Sequence, residues 1–348
     1  MALEATSILA LVGALLVILL SCEVFTNGIE WLGCRLGMSE TATGSLLAAV
    51  GTAMPETVIP IIAIFFGSEA EGEEIGEGAI LGAPFMLGTL AMFVGGIAVL
   101  LAYKAGRRGP NLELHKGHVE RDLRFFMLAY SLALLTGLLG MQEEVDLKGV
   151  NYFVAVLLIL IYVVYVRRTL RDEHHIEESS CPVLYMTRAT GIPNVGRRGL
   201  VMISFQVVAA LIGIIVGAKF FVDQVEHLST ALNVPAMILA FLVAPIATEL
   251  PEKFNSFIWY WRSKDVLALG NITGAMVFQS SIPVTIGLLF TSWVLAPINI
   301  ASILIALVAA AWIYHCVRRS KGVCYRTLIA SGSMYVLYII LLFVGLHP

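Results

Sequence analysis

The sequence predicts an all-α membrane protein, ten transmembrane helices in two inverted five-helix repeats. Three observations carry that expectation. The 348 residues are 58% hydrophobic and 14% charged, with mean hydropathy +0.87, against about 45–50% and about 25% in soluble domains. About ten apolar runs approach the roughly 20 residues needed to cross a bilayer. A short polar motif also occurs twice, once in each half, inside an apolar run.

The runs lie at 5–27, 43–66, 78–103, 123–141, 150–168, 199–222, 234–261, 265–290, 295–317 and 326–346. The first is expected to be a retained helix, because Met-Ala-Leu-Glu lacks the basic region of a cleaved signal peptide. Only Arg262-Ser263-Lys264-Asp265 separates the seventh run from the eighth, which is enough for a tight helical hairpin. The longest polar stretch, 169–198, contains His174-His175 and Glu177-Glu178 and reads as a cytoplasmic linker between a first repeat (1–168) and a second (199–348). With alternating loops, nineteen of the 22 Lys and Arg residues fall on one side, Lys148 and Lys219 on the other, and Lys253 within a span. Basic loops stay in the cytoplasm, so both termini are expected outside. Five spans per half would set the halves in opposite orientation, an arrangement that places a transporter's site at the midplane. The short loops point to a prokaryotic plasma membrane.

The repeated motif is Thr-x-x-Pro-Glu: Thr52 to Glu56 in the second run and Thr248 to Glu252 in the seventh. Each copy precedes a hairpin into a glycine-bearing helix, opening Gly78-Ala79-Ile80-Leu81-Gly82 in one half and Gly270-Asn271-Ile272-Thr273-Gly274 in the other. A carboxylate at membrane depth costs about 2.5–3.5 kcal/mol on insertion scales, so it should face protein, water or an ion. Proline before each glutamate removes a backbone donor and is expected to bend the helix, freeing a carbonyl near Thr52 or Thr248. Carboxylates, threonine hydroxyls and freed carbonyls together make an all-oxygen site suited to hard cations such as Ca²⁺ or Na⁺. Glu56 and Glu252 are therefore the expected ion-binding pair.

Other features are less specific. Glu249 and Lys253 sit four apart in the order that favours an ion pair; either they neutralise each other, or the Lys253 ammonium stands in for a bound cation. Asn255, Ser256, Ser280 and Ser281 could line the pathway or join helices to each other. The acidic hairpin Glu69, Glu71, Glu73, Glu74 and Glu77 reads as an outer cation funnel or a plain solvated loop. A net charge of −3 gives no reason to expect nucleic-acid binding. The five cysteines show no metal or disulfide spacing. No histidine lies centrally in a span, which argues against an intramembrane metalloenzyme. The expected partners are inorganic cations and the lipid bilayer, with no cofactor, no enzymatic activity and no obligate protein partner.

At the two repeats the chain resembles the cation/calcium exchanger superfamily, whose sodium/calcium exchangers carry Gly-Thr-Ser-x-Pro-Glu in two inverted repeats. The resemblance implies that Glu56 and Glu252 bind calcium, with Thr52 and Thr248 supporting sodium or calcium. It also implies a secondary-active antiporter exchanging Ca²⁺ for Na⁺ by alternating access. An H⁺-coupled divalent exchanger and a passive channel are the alternatives. The chain departs from the pattern at Ala53 and Glu249, where the motif serine would stand, and at Ala83 and Ala275. Where the family places an Asn or Asp ligand, this sequence has Leu87 and Gln279. These departures remove oxygen ligands, mostly from the first repeat, and leave the coupling ion open.

Overall fold

The computed structural model describes residues 2–35, 53–68, 71–140, 147–171, 183–191, 196–232, 238–241, 249–319 and 322–343. Among them the regular elements are helices: α1 (Ala2–Arg35), α2 (Met54–Phe66), α3 (Glu71–Lys104), α4 (Lys116–Gly140), α5 (Leu147–Arg171), short α6 (Tyr185–Thr190), α7 (Gly196–Leu232), α8 (Leu250–Trp261), α9 (Asp265–Phe290), α10 (Pro297–Arg318) and α11 (Tyr325–Phe343). A π-helical turn, Leu87–Ala91, interrupts α3.

Seven of these helices, α3, α4, α5, α7, α9, α10 and α11, are long and apolar enough to cross a membrane. They coincide with seven of the ten expected runs. The first run falls within α1. The second and seventh appear as α2 and α8, and the N-terminal parts of those runs include 43–52 and 242–248, outside the described residues.

Burial ranks the spans. About 83% of the apolar window of α9 and 67% of that of α3 are buried, against 28–44% in the other five. The two glycine-bearing helices are thus the enclosed ones. Around them α4, α5, α10 and α11 contribute to one apolar cluster that includes Phe85, Phe126, Tyr130, Met276, Ile303 and Tyr338. A second cluster joins α1, α2 and α7 through Ile18, Ile59, Ile214 and Phe221. Close approach of α1 to α7 requires glycine: a Cβ at Gly213 would lie 2.3 Å from Ser21 Oγ, and one at Gly217 2.7 Å from Ile18 Cγ1.

The turns sort into two groups. On one face, Arg108 bridges to Asp265, Arg107 stacks over Trp261 at 4.7 Å, and Leu112 N–H donates to the Val323 carbonyl at 2.8 Å. These contacts join the α3–α4, α8–α9 and α10–α11 turns. On the other face, Ser68 N–H donates to Glu226 at 2.7 Å, Thr291 Oγ1 donates to Glu77 at 2.8 Å, and Ser292 N–H donates to Glu73.

One expectation needs correction. The acidic hairpin is mostly helix: Glu71, Glu73 and Glu74 form the first turn of α3, where the positive helix end favours them. Glu77 is buried, 7% exposed, and bound to Thr291, so it is neither funnel nor solvated loop. Part of the linker is also anchored. Asn27 and Gln206, both buried, hold residues 183–186: Tyr185 N–H donates to Asn27 Oδ1 at 2.8 Å and Met186 N–H to Gln206 Oε1 at 2.9 Å.

Candidate cation site

The two copies of the motif open their helices in the same way. The residue before α2, Ala53, has φ −82° and ψ 10°; the residue before α8, Glu249, has φ −81° and ψ 4°. Pro55 and Pro251 occupy the first turns, where a missing N–H has no carbonyl to lose and the fixed φ suits the helix. In the described residues each proline stands in the first turn of its helix; the preceding residues on which the expected bend depends, 43–52 and 242–248, lie outside the described residues. Glu56 and Glu252 thus stand in the first turn of α2 and α8, near the positive end of each helix. Thr52 and Thr248, with the carbonyls expected to be freed there, lie outside the described residues.

Glu56 is buried, 3% exposed, on a helix that packs against both α3 and α9. Glu252 and Asn255 are placed on α8 by the backbone; their side chains lie outside the described residues. Glu249 and Lys253 form an ion pair, Nζ to Oε2 2.9 Å, with both side chains buried. The corresponding positions of the first half hold Ala53 and Thr57, and Thr57 Oγ1 simply donates to the Ala53 carbonyl at 2.9 Å. The second half therefore carries a charge pair where the first carries none.

Helix α9 supplies neutral polar groups. Gln279 is fully buried, and neither its amide oxygen nor its nitrogen meets a protein partner among the described residues. The Asn271 amide nitrogen, on the same helix, is likewise buried without one. Ser280 and Ser281 instead donate to the Val277 carbonyl of their own helix, at 3.2 and 2.7 Å, so their hydroxyl hydrogens are occupied. Leu87 is buried in the π turn of α3, and the neighbouring Gly88 carbonyl accepts from buried Ser331 at 2.9 Å. A buried amide without a partner is expensive, and a bound cation with its water would satisfy the Gln279 oxygen. Among the described residues, no group of three or more His, Cys, Asp or Glu side chains is gathered for a metal.

A further buried carboxylate was not among the expected site residues. Asp122 on α4 is 2% exposed and accepts from Thr273 Oγ1 at 2.8 Å and from Arg121 at 3.3 Å. Thr273 lies two positions beyond Asn271, so this contact ties α4 to the helix that carries Asn271 and Gln279. Its only sequence signal is an aspartate flanked by arginines at the edge of an apolar run, which reads equally well as loop.

The profile of the family described as sodium/calcium exchanger protein matches residues 6–170 and 203–344 of this chain. The chain belongs to that family. Its members are secondary transporters rather than catalytic enzymes. A curated relative, the uncharacterized membrane protein MJ0091 of Methanocaldococcus jannaschii, is 22% identical over 267 residues, 76% of each chain. The fold is similar to that of an H⁺/Ca²⁺ exchanger, CAX, with TM-score 0.74 at 15% identity, covering 97% of this chain and 82% of the other. It is also similar to the sodium-calcium exchanger NCX_Mj, with TM-score 0.59 at 18% identity, covering 96% and 97%.

Proposed function

We propose that this chain is a secondary-active antiporter that exchanges Ca²⁺ for Na⁺ by alternating access, with Glu56 and Glu252 as the paired ion-binding carboxylates. The observation that carries the reading is the repeated Pro-Glu helix start, with backbone angles at Ala53 and Glu249 that agree within 6°. Two carboxylates balance one divalent ion or two monovalent ions, the charge match that exchange requires. Gln279, Thr52 and Thr248 complete the oxygen shell, and Glu249 sits beside it.

The ten-helix plan, with inverted repeats 1–168 and 199–348 about a linker, belongs to this proposal. It is supported by the two stretches the family profile matches. The face that holds Arg108, Arg107 and the α8–α9 turn is cytoplasmic in this reading, since it gathers the basic loops; both termini are then outside. Helix α3 shares both apolar clusters, Ile75 and Ala79 in one and Ile80 and Phe85 in the other, so it stands as part of the core across which α1 and α7 tilt in this reading.

A second reading, H⁺ as the counter-ion, is favoured by one observation. The buried Glu249–Lys253 ion pair sets an ammonium on the residue that follows Glu252, where in this reading it stands in for a bound sodium ion. Radiotracer Ca²⁺ uptake into proteoliposomes, driven separately by Na⁺ and H⁺ gradients, decides between them. Uptake with sodium supports the first reading and uptake with protons alone the second. Wild-type flux in a folded Glu56→Gln, Glu252→Gln double variant would sink the site assignment.

A further inference from the structure

At the basic face, a cavity of about 420 Å³ lies between the start of α4 and the end of α5. Arg121, Arg124 and Arg168 line it, with Glu120 as the one carboxylate in its wall and Phe125 and Leu128 as apolar neighbours. Each arginine is positioned by a local contact. Arg121 pairs with buried Asp122 at 3.3 Å; Arg124 pairs with Glu120 at 3.3 Å and donates to Tyr314 Oη at 2.8 Å; Arg168 stacks on Phe125 at 5.7 Å. Three guanidinium groups against two carboxylates, Glu120 in the wall and Asp122 behind Arg121, leave the site with one net positive charge.

The surroundings indicate what fits. Leu128, one turn beyond Arg124 on α4, is 52% exposed. On α5, Leu160 and Val164 precede Arg168 by two turns and one turn on the same face and are 55% and 42% exposed. In a membrane helix such exposed residues face lipid tails. A cationic cavity thus sits directly over an apolar strip. Gly117, an exposed lining residue at the start of α4, presents no side chain, and a Cβ there would meet nothing within 4 Å. Guanidinium forks match phosphate oxygens in geometry and charge.

We propose that this cavity binds the phosphodiester headgroup of an anionic phospholipid, whose acyl chains lie along Leu128, Leu160 and Val164. The proposal is independent of the ions transported. The Arg121–Asp122–Thr273 contact places this lipid site one side chain from α9.

The test is native mass spectrometry of the full chain in detergent, titrated with phosphatidylglycerol or phosphatidylcholine. One phosphatidylglycerol should be retained in preference to phosphatidylcholine. An Arg124→Gln, Arg168→Gln variant should weaken retention about 25-fold, at about five-fold per basic residue. Gly117→Phe should abolish it by filling the cavity while keeping every charge, and because its side chain enters open space it serves if the arginine variant does not fold. Arg167→Gln, Arg171→Gln, at the same helix end but outside the cavity wall, should retain the lipid. Equal retention by the cavity variants, or equal loss in the Arg167, Arg171 control, would overturn the proposal. Displacement by millimolar inorganic phosphate would also overturn it, by making the site one for free anions.

Discussion

Removing Arg108 should destabilise the protein more than any exposed basic substitution, because its guanidinium has all five donors occupied. Two N–H groups grip Asp265, at 2.5 and 2.6 Å; the others reach the carbonyls of Tyr260 at 3.0 Å, Asn111 at 2.9 Å and Gly109 at 3.2 Å. The two side chains are 5% and 1% exposed. Arg108→Ala would leave the Asp265 carboxylate buried with the Glu113 N–H, at 2.8 Å, and the start of α9 around it. Breaking one side of a buried pair typically costs about 3–5 kcal/mol. At about 2 °C per kcal/mol for a large chain, the thermal midpoint should fall by about 6–10 °C, read by tryptophan fluorescence in detergent. Adding Asp265→Asn removes the buried charge while keeping an acceptor for Glu113, so the double variant should recover at least half the loss. Arg108→Lys should recover little, since an ammonium cannot reproduce the two-pronged grip. A single variant within 2 °C of wild type, or a double variant no better than the single, would refute this account of the α8–α9 turn.

Two further outcomes follow from buried polar contacts. Lys253→Met should lower the thermal midpoint, because it takes the ammonium from a fully buried Glu249; the Lys253→Met, Glu249→Gln double variant should be closer to wild type, and additive losses in that cycle would mean the pair is not coupled. Thr273→Val keeps the shape but removes the donor to Asp122, a charged hydrogen bond worth about 1.5–3 kcal/mol. A thermal midpoint unchanged within error would show that the Thr273 bond contributes nothing to holding α4 on α9.

The membrane-helix content was legible in the sequence because an apolar run integrates its signal over about 20 residues and survives errors at its ends. The Thr-x-x-Pro-Glu pair was legible for a different reason: repetition at depth is improbable unless both copies serve one purpose. The narrow Arg262–Asp265 separation likewise proved sufficient for a turn, with Ser263 at φ 60°. Other features could not be read this way. Acidic composition implied a loop at 69–77, whereas Glu77 is buried by a partner 214 positions away in the sequence.

By itself the sequence determined the medium the chain lives in, most of the spans and the two glutamates worth testing, since these rest on local composition and on a motif repeated along the chain. Only the tertiary structure decided that α3 and α9 are the enclosed helices, that Glu249 and Lys253 pair, that Gln279 is buried with its amide unmatched, and that Asp122 lies inside rather than in a loop. Burial of a polar group is set by what faces it across helices, and such partners are separated by up to hundreds of residues in the chain.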